Sequence, residues 1–458
     1  MREDWVQIEI EDIFKTLENG KEINQGWSPQ CKNYPSPSDD IWGVLKTTAI
    51  QKNEFWEHEN KELPKDKEVR AHLEVKVGDI ILTCAGPRNR CGVACTVIKT
   101  RPKLLLSGKM YRFRPDERAM TTEFLTFFLQ TQESWLAIDK MKTGTSDSGL
   151  NLTHSRFRKL PVRVAPLPEQ RAIVAKIEEL FSDLDQGIAD LKKAQDQLKI
   201  YRQAVLKKAF EGELTKEWRE QQTDLPAWKK DNLKNITTIN PKPNKDKIPN
   251  DLELQFLPMR LVEEVKNKIH LDEIRQFQEV QKKSYTFFEE GDVLFAKVTP
   301  CMENGKIAIA KDLKNKMGYG SSEFHVFRVR EQLSNEYLFH FLVQEKFRAD
   351  SQHAMTGAVG LKRVPKKFLE DYEIPLPSIK EQHQIVQEIE SRLSVCDKVE
   401  ESISKSLEKA KALRQSILKK AFEGTLLSEK EIAACKAAPD YEPASVLLER
   451  IKAEKKKK

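Results

Sequence analysis

The sequence has no C-x-x-C pair, no long apolar run and no large excess of either charge. Its seven cysteines (Cys31, Cys84, Cys91, Cys95, Cys301, Cys396 and Cys435) are odd in number and scattered. Zinc centres and dithiol redox sites use paired spacings, so these residues read as reduced thiols and no metal is implied. Cys91 and Cys95, the closest pair, have no histidine beside them and read as packing or loop residues. No apolar stretch approaches the roughly 18 residues that span a bilayer, and Met1 to Trp5 does not begin a leader of basic then apolar residues, so no membrane and a cytoplasmic location are expected. The formal charge is only +7, with a pI near 8.8, which places any affinity for polyanions in local clusters. There is no G-x-x-x-x-G-K loop, G-x-S-x-G elbow or H-E-x-x-H helix. The nearest approach to an amino-methylase signature, Asn240-Pro241-Lys242-Pro243, is broken by lysine. Catalysis is therefore expected from partners.

What is present suits a globular chain. Hydrophobic residues make up 39% of the 458, with 21 Phe and 7 Trp, enough side-chain volume for packed cores. That length exceeds one ordinary domain and suits two to four. The lysines from Lys455 to Lys458 read as a solvated tail.

The chain is also a duplication. Leu206-Lys207-Lys208-Ala209-Phe210-Glu211-Gly212 recurs unchanged as Leu418-Lys419-Lys420-Ala421-Phe422-Glu423-Gly424, an offset of 212 (418 − 206). At or near that offset Glu169-Gln170 matches Glu381-Gln382, Ile173-Val174 matches Ile385-Val386, and Asp185 matches Asp397. Upstream, Val77-Gly78-Asp79-Ile80-Ile81 answers Glu290-Gly291-Asp292-Val293-Leu294, Phe124-Leu125 answers Tyr337-Leu338, and Thr143-Gly144 answers Thr356-Gly357. A period this long signals duplication of a whole domain rather than a solenoid.

Each half ends in a helical block. The first opens with Pro166-Leu167-Pro168-Glu169-Gln170, where proline sets the entry and an acidic residue suits the positive end of a helix. From Ile173 to Phe210 there is no proline and a single glycine, Gly187. Ile177, Leu184, Leu191, Leu198 and Val205 recur every seventh residue, with Ile173, Leu180, Gly187, Ala194 and Tyr201 as an intervening row. That is a coiled-coil seam, with Gly187 and Ala194 expected to admit a close partner. In the second block Ile389, Cys396, Ile403, Ala410 and Ile417 repeat it, supported by Leu393, Leu407 and Leu413. The two stripes are expected to pack on each other, antiparallel with pseudo-twofold symmetry, as a rod of roughly 60 Å at ~1.5 Å per residue. An ordinary long helix within a bundle is the alternative.

The blocks between mix both kinds of element. Asp79 to Thr83, Gly92 to Ile98 and Asp292 to Ala296 read as buried strands, and Phe124 to Leu129 and Tyr337 to Leu342 as short helices. Lys109 to Arg114 alternates basic and aromatic residues, as a half-exposed strand does. The fold class expected is α+β: two mixed domains separated by two long helices paired as an antiparallel coiled coil.

These features together resemble the specificity (S) subunit of type I restriction-modification systems. The likeness runs through nearly the whole chain and rests on Pro166 to Gln170, on Pro375-Leu376-Pro377 leading to Glu381-Gln382, on the two Leu-Lys-Lys-Ala-Phe-Glu-Gly closings, and on the ending Glu442 to Ile451. Pro377-Ser378-Ile379-Lys380-Glu381 departs from it, with extra residues between proline and Glu-Gln. The resemblance implies target-recognition domains at 1–165 and 229–375, long helices at 166–214 and 376–425, a linker at 215–228 and a tail at 426–458. Each domain would read half of a bipartite site in double-stranded DNA while the helices set the spacer. Two methyltransferase subunits and the restriction subunits would dock on the chain, giving an adenine-N6 methyltransferase and ATP-dependent endonuclease. S-adenosylmethionine, ATP and Mg2+ would sit on those partners, and no cofactor on this chain. A chain with its own methylase or nuclease activity, or a coiled-coil scaffold without sequence specificity, remains open.

Two loop sets are candidate DNA contacts. Arg88, Asn89 and Arg90 lie between two expected strands, and Thr299, Asn304 and Lys306 occupy the equivalent place in the second half. Arginine can bond guanine in bidentate fashion and asparagine adenine, while lysine more often holds phosphate. Thr143, Thr145 and Ser146 beside Gly144, with Lys362 and Arg363 beyond Gly357, form the other set; glycine would admit phosphate and the basic pair neutralise it. Plain hairpin and turn chemistry explains the same residues.

Overall fold

The chain forms two compact units, one of Met1–Asp190 with Ser406–Lys458, the other of Leu191–Lys405. The computed structural model describes residues 2–456 except Asn53 and Val359, with side chains as far as Glu454, so the lysine run at Lys455 to Lys458 lies outside the described side chains. No helix among the described residues is long and apolar enough to cross a membrane.

Both units are α+β and share one sheet connectivity. The first holds an antiparallel sheet in the order Ile23–Gln25, Met110–Phe113, Ile80–Thr83, Ala94–Thr96. The second repeats it with Thr237–Ile239, Phe324–Val329, Val293–Ala296 and Ile307–Ile309. The uninterrupted apolar strands Ile80–Thr83 and Val293–Ala296 are buried throughout, as a sheet covered on both faces requires. Each unit adds a second sheet, of three strands in the first and four in the second, containing one parallel pair, Leu104–Leu105 beside Gly43–Leu45 and Met317–Gly320 beside Glu253–Leu257. The two short helices are Thr122–Leu129 and Asn335–Val343, capped by Thr121 and Ser334, whose hydroxyls accept the N–H of Phe124 and Tyr337. Met110–Phe113 differs from the half-exposed strand expected, because all four residues are buried. Arg112 can be buried there because its guanidinium donates to the carbonyls of His72 and Glu74 and pairs with Asp79.

The long helices run Leu167–Phe210 and Ile379–Glu423, and each contributes residues to both units. Within the first unit Arg414 donates to Asp185 at 2.6 and 2.8 Å, while Ile173 and Ile177 share a core with Leu418, Ala421 and Phe422. Within the second, Arg202 donates to Asp397 at 2.7 Å, and Thr215, just past the first helix, donates to Glu381 at 2.9 Å. Early residues of one helix meet late residues of the other, so the pairing in each unit is antiparallel. Ile177 and Val205 are buried and Leu180, Leu184, Leu191 and Leu198 partly so; Ile389, Cys396, Ile403, Ala410 and Ile417 are all buried, and Leu407 partly.

The intervening row holds at Ile173, which is buried, and at Leu180, which packs against the same core, and fails at Gly187 and Tyr201. A Cβ at Gly187 would meet nothing within 4 Å, and Tyr201 is 46% exposed. The neighbouring row is instead Phe181, Ile188, Gln195, Arg202 and Ala209, four residues on from the first row rather than three. In the second helix Leu413 is likewise exposed and Arg414 takes the place beside the seam. Hydropathy conceals this choice, since arginine covers apolar surface with its stem while its charged head pairs across the seam.

Three further expectations change. The second helix starts at Ile379, and Ser378 accepts the N–H of Glu381, so Ser378-Ile379-Lys380-Glu381-Gln382 matches Pro166 to Gln170 at the constant offset without extra residues. Pro375 and Leu376 belong to the strand Glu373–Leu376, the counterpart of Pro161–Val164. The tail is folded onto the first unit: helices Glu429–Lys436 and Ala444–Lys456 bury Cys435, Ala444, Leu447, Leu448 and Ile451 in its core. The linker carries a helix, Lys216–Glu220, and is tied down at both ends.

Those ties explain the repeated Glu-Gln. Glu169 is fully buried and accepts the indole N–H of Trp5 at 2.9 Å; Glu381 accepts the indole N–H of Trp228 at 2.9 Å and the guanidinium Nε–H of Arg219 at 2.8 Å. Gln170 bonds the carbonyls of Ala119 and Ala165 and the N–H of Thr121, and Gln382 those of Gln332 and Pro377 and the N–H of Ser334. A buried polar pair is tolerated because nearly all its polar atoms are hydrogen-bonded, and Glu169 Oε1, which has no hydrogen bond, faces the Arg2 guanidinium at 3.5 Å. The repeated Phe closes the other end. Phe422 packs against Phe124 and Phe128 in the first unit, at ring separations of 4.8 and 5.3 Å, and Phe210 against Tyr337 and Phe341 in the second, at 5.0 and 5.2 Å. Each domain is thus closed by the helix end that belongs to the other sequence repeat.

Candidate nucleic-acid interface

The two loop sets, far apart in sequence, meet in each unit. In the first, Ala85–Gly86 pairs with Leu150–Asn151, and Thr143 and Asn151 exchange backbone hydrogen bonds at 2.8 and 2.7 Å. The N–H of Arg88 donates to the carbonyl of Asp147 at 2.8 Å, which brings Arg88 beside the turn carrying Thr145 and Ser146. In the second, Thr299 N–H donates to Lys362 at 3.1 Å and Val364 N–H to Lys297 at 2.9 Å, while Thr356 and Arg363 exchange bonds at 3.0 and 2.8 Å. The result in both is a pair of loops tied to each other beyond the end of an inner strand of the sheet, Ile80–Thr83 or Val293–Ala296, the kind of rigid platform from which side chains recognise ligands.

Their glycines answer a local demand. Gly144 and Gly357 have φ of +144° and +129°, and a Cβ there would come within 2.8 Å of the carbonyls of Gly149 and Leu361. Closure of their own hairpins accounts for them.

The expected side chains fall into distinct environments. Arg90 is partly buried and donates to the carbonyls of Thr47 and Ile50 and the side chain of Gln51, which fixes it inside the fold. Lys306 donates to the carbonyl of Met259 and Thr299 to the sulfur of Met355, so both are also internal struts. Asn89, Thr145 and Ser146 are exposed at turn positions, Ser146 sharing a hydrogen bond with Ser148 at 2.8 Å. Thr143 donates to Asn151 at 3.2 Å, Asn304 to Glu264 at 2.9 Å, and Lys362 is exposed.

Arg88 and Arg363 are surface guanidiniums held by carboxylates. Arg88 donates through Nη1 to Asp139 at 2.7 Å and through Nε to Asp147 at 3.1 Å, with Nη2 3.0 Å from Asp147. Lys142 is nearly buried between Asp139 at 2.9 Å, the Arg88 carbonyl at 3.0 Å and the face of Trp135 at 4.1 Å. It holds the Asp139 carboxyl below its ordinary range, with Arg88 adding to the effect. Arg363 donates through Nε and Nη2 to Glu323, both at 2.8 Å, and lowers that carboxyl likewise. Lys297, half-buried beside them, has its ammonium pushed down by burial. Asp139, Asp147, Glu323, Lys142 and Lys297 belong to no motif and were not legible as members of the surface; only the tertiary fold assembles them. Among the described residues no group of three His, Cys, Asp or Glu side chains is placed to hold a metal ion. Asn240, of the broken methylase-like signature, bonds the backbone of Val326 and the ring of His325 as part of a sheet edge.

The comparisons with known proteins agree with this duplicated design. The family model described as the type I restriction modification DNA specificity domain matches twice, at residues 2–193 and 226–409. The EcoEI specificity subunit of Escherichia coli is 40% identical over 173 residues, 38% of this chain and 29% of that protein. The EcoAI subunit of E. coli is 30% identical over 363 residues, 70% of this chain and 61% of that one, so the chain spans less than two thirds of either relative. The EcoKI subunit of E. coli K12 is 24% identical over 91% of this chain and 89% of its own length. Among solved structures, a chain from a study of complex assembly and conformational transition of the type I R-M system aligns with TM-score 0.67 and 18% identity, covering 93% of this chain and 99% of that one. The HsdS subunit of Thermoanaerobacter tengcongensis aligns with TM-score 0.54 and 19% identity, covering 93% and 98%. With two matches of the family model that together take in most of its length, one over each repeat, this chain belongs to the type I restriction-modification DNA specificity family.

Proposed function

We propose that the chain is the DNA-specificity subunit of a type I restriction-modification complex, itself without catalysis, reading a bipartite duplex sequence through its two units. The observation that carries this is the paired-loop platform that follows the equivalent inner strands Ile80–Thr83 and Val293–Ala296 in the two units, with different side chains on each. Shared scaffolds with dissimilar exposed residues suit two readers of different half-sites, because base contacts specify while the scaffold only positions. Relatives named as specificity subunits support the same role.

The two long helices contribute residues to both units, which suits them to set the unread spacer. Two methyltransferase subunits and restriction subunits would join the chain in the cytoplasm and bring S-adenosylmethionine, ATP and Mg2+. Comparison of adenine methylation in source cells with and without the gene tests the proposal. Loss of methylation at one split motif supports it. Methyl transfer by the isolated chain would favour an enzyme instead, and equal affinity for random and target duplexes across salt concentrations a mere scaffold.

A further inference from the structure

Three arginines were expected at the loop surfaces, and their hydrogen bonds separate them. Arg90 is held by the carbonyls of Thr47 and Ile50. Arg88 has carboxylates on both edges of its guanidinium, Asp147 along Nε and Nη2 and Asp139 at Nη1. Arg363 has one edge engaged: Glu323 takes Nε and Nη2 side-on, leaving the end-on fork, Nη1 with the second Nη2 hydrogen, outside the ion pair. Its side chain is 46% exposed.

The backbone beneath Arg363 is fixed as well. Arg363 exchanges hydrogen bonds with Thr356 and bridges to Val298, and its neighbours Lys362 and Val364 bond Thr299 and Lys297. Both the Cα position and the guanidinium plane are thereby set before any ligand arrives. A preset plane with an open end-on fork matches the O6 and N7 acceptors of guanine in the major groove; the same fork fits a phosphate, but the Glu323 carboxylate already against the guanidinium disfavours a second anion. Preorganisation of this kind favours a contact of defined geometry over a loose electrostatic one.

We infer that Arg363, oriented by Glu323, reads a guanine in the half-site recognised by the second unit, and that Glu323 is a specificity-determining residue through its hold on that guanidinium. The inference deepens the DNA-specificity reading and rests on it. Glu323 also opposes phosphate: a carboxylate beside the arginine repels the backbone, so the pair gains from the correct base edge and little from non-specific duplex.

Selection from duplexes randomised across the site, using the full-length protein in its assembled complex, tests this. Wild type enriches a split motif with a guanine in one half. Arg363→Lys, which keeps the charge and loses the fork, abolishes preference at that one position by about tenfold or more and leaves the other positions intact, in line with the ~1–3 kcal/mol worth of a bidentate pair. Arg363→Gln moves the preference at the same position from guanine towards adenine. Glu323→Gln weakens the guanine preference several-fold and strengthens binding to random duplex at low salt. Thermal melting confirms that each variant is folded, and either Arg363 variant alone decides the matter. A uniform loss of affinity across all sequences, or an unchanged motif, overturns the inference while leaving DNA reading intact. A wild-type complex that enriches no motif overturns the DNA reading itself.

Discussion

Trp5 donates its indole N–H to the fully buried carboxylate of Glu169 across 2.9 Å, and so ties the beginning of the first unit to the first turn of a long helix. Glu381 repeats the arrangement with Trp228 and adds Arg219 and Thr215. Removing an acceptor from a buried network costs more than its bonds are worth, because the donors are left unpaired. Glu169→Ala and Glu381→Ala should each cost about 2–4 kcal/mol, and the Gln variants about half as much, in urea denaturation. Hydrogen exchange should place the first loss in the first unit and the second in the other.

Phe422 and Phe210 close the two domains from the ends of the long helices. Truncation of either to alanine should cost about 3–5 kcal/mol, the range for buried aromatics. Near-ultraviolet circular dichroism and denaturation midpoints would register it; a loss below about 1 kcal/mol would contradict the packing role.

Arg414 with Asp185, and Arg202 with Asp397, are equivalents under the duplication, and Arg414 also lies 4.3 Å from the ring centre of Phe181. Both aspartates are largely exposed, so alanine at either should cost only about 0–1 kcal/mol. The pairs act on alignment. Asp185→Arg alone should lower the melting temperature through like charges, and Asp185→Arg with Arg414→Asp should restore most of it.

His325 and His340 are buried, and desolvation pushes each down to about 4. For His325 the nearby Lys297 and Lys366 add to the shift, while Glu323 and its bond to the Val364 carbonyl oppose it. An unfolded histidine titrates near ~6.5, so between that value and about 4 the unfolded chain binds more protons and stability falls as pH falls. Each histidine contributes up to about 3 kcal/mol to that loss. His325→Gln should flatten the pH dependence of the denaturation midpoint across this window, and an unchanged slope would show that the ring is not titrating as described.

Seven residues inserted into one long helix add ~10.5 Å of rise. If the helices set the spacer, selection from random DNA by the assembled complex should return a changed spacer length or lose the bipartite motif. An unchanged spacer with the seam intact would separate the helices from that role.

The amino-acid order alone carried the duplication, the long helices, the first seam row and the apolar strands, because each depends on spacing along one element. Leu184 and Leu191 announce themselves by period, and Ile80 and Val293 by runs of apolar neighbours. The second seam row could not be read in the same way: positions three and four residues on from a first-row residue are both neighbours on a helix, and further along only the partner decides between Tyr201 and Arg202. The second helix start was misaligned because the triplet Pro375-Leu376-Pro377 imitates Pro166-Leu167-Pro168, whereas strand pairing with Lys229–Asn232 places it one element earlier.

Tertiary structure decided which arginine is a strut and which is a surface group. Arg88, Arg90 and Arg363 are alike in a sequence, and their environments are set by Asp139, Asp147, Thr47, Ile50 and Glu323, most of them dozens of residues away. It also decided that Phe210 and Phe422 each complete the domain of the other repeat. Periodicity is a property of one segment and survives in the order of its residues. A hydrogen bond between distant segments exists only once the chain has brought them together.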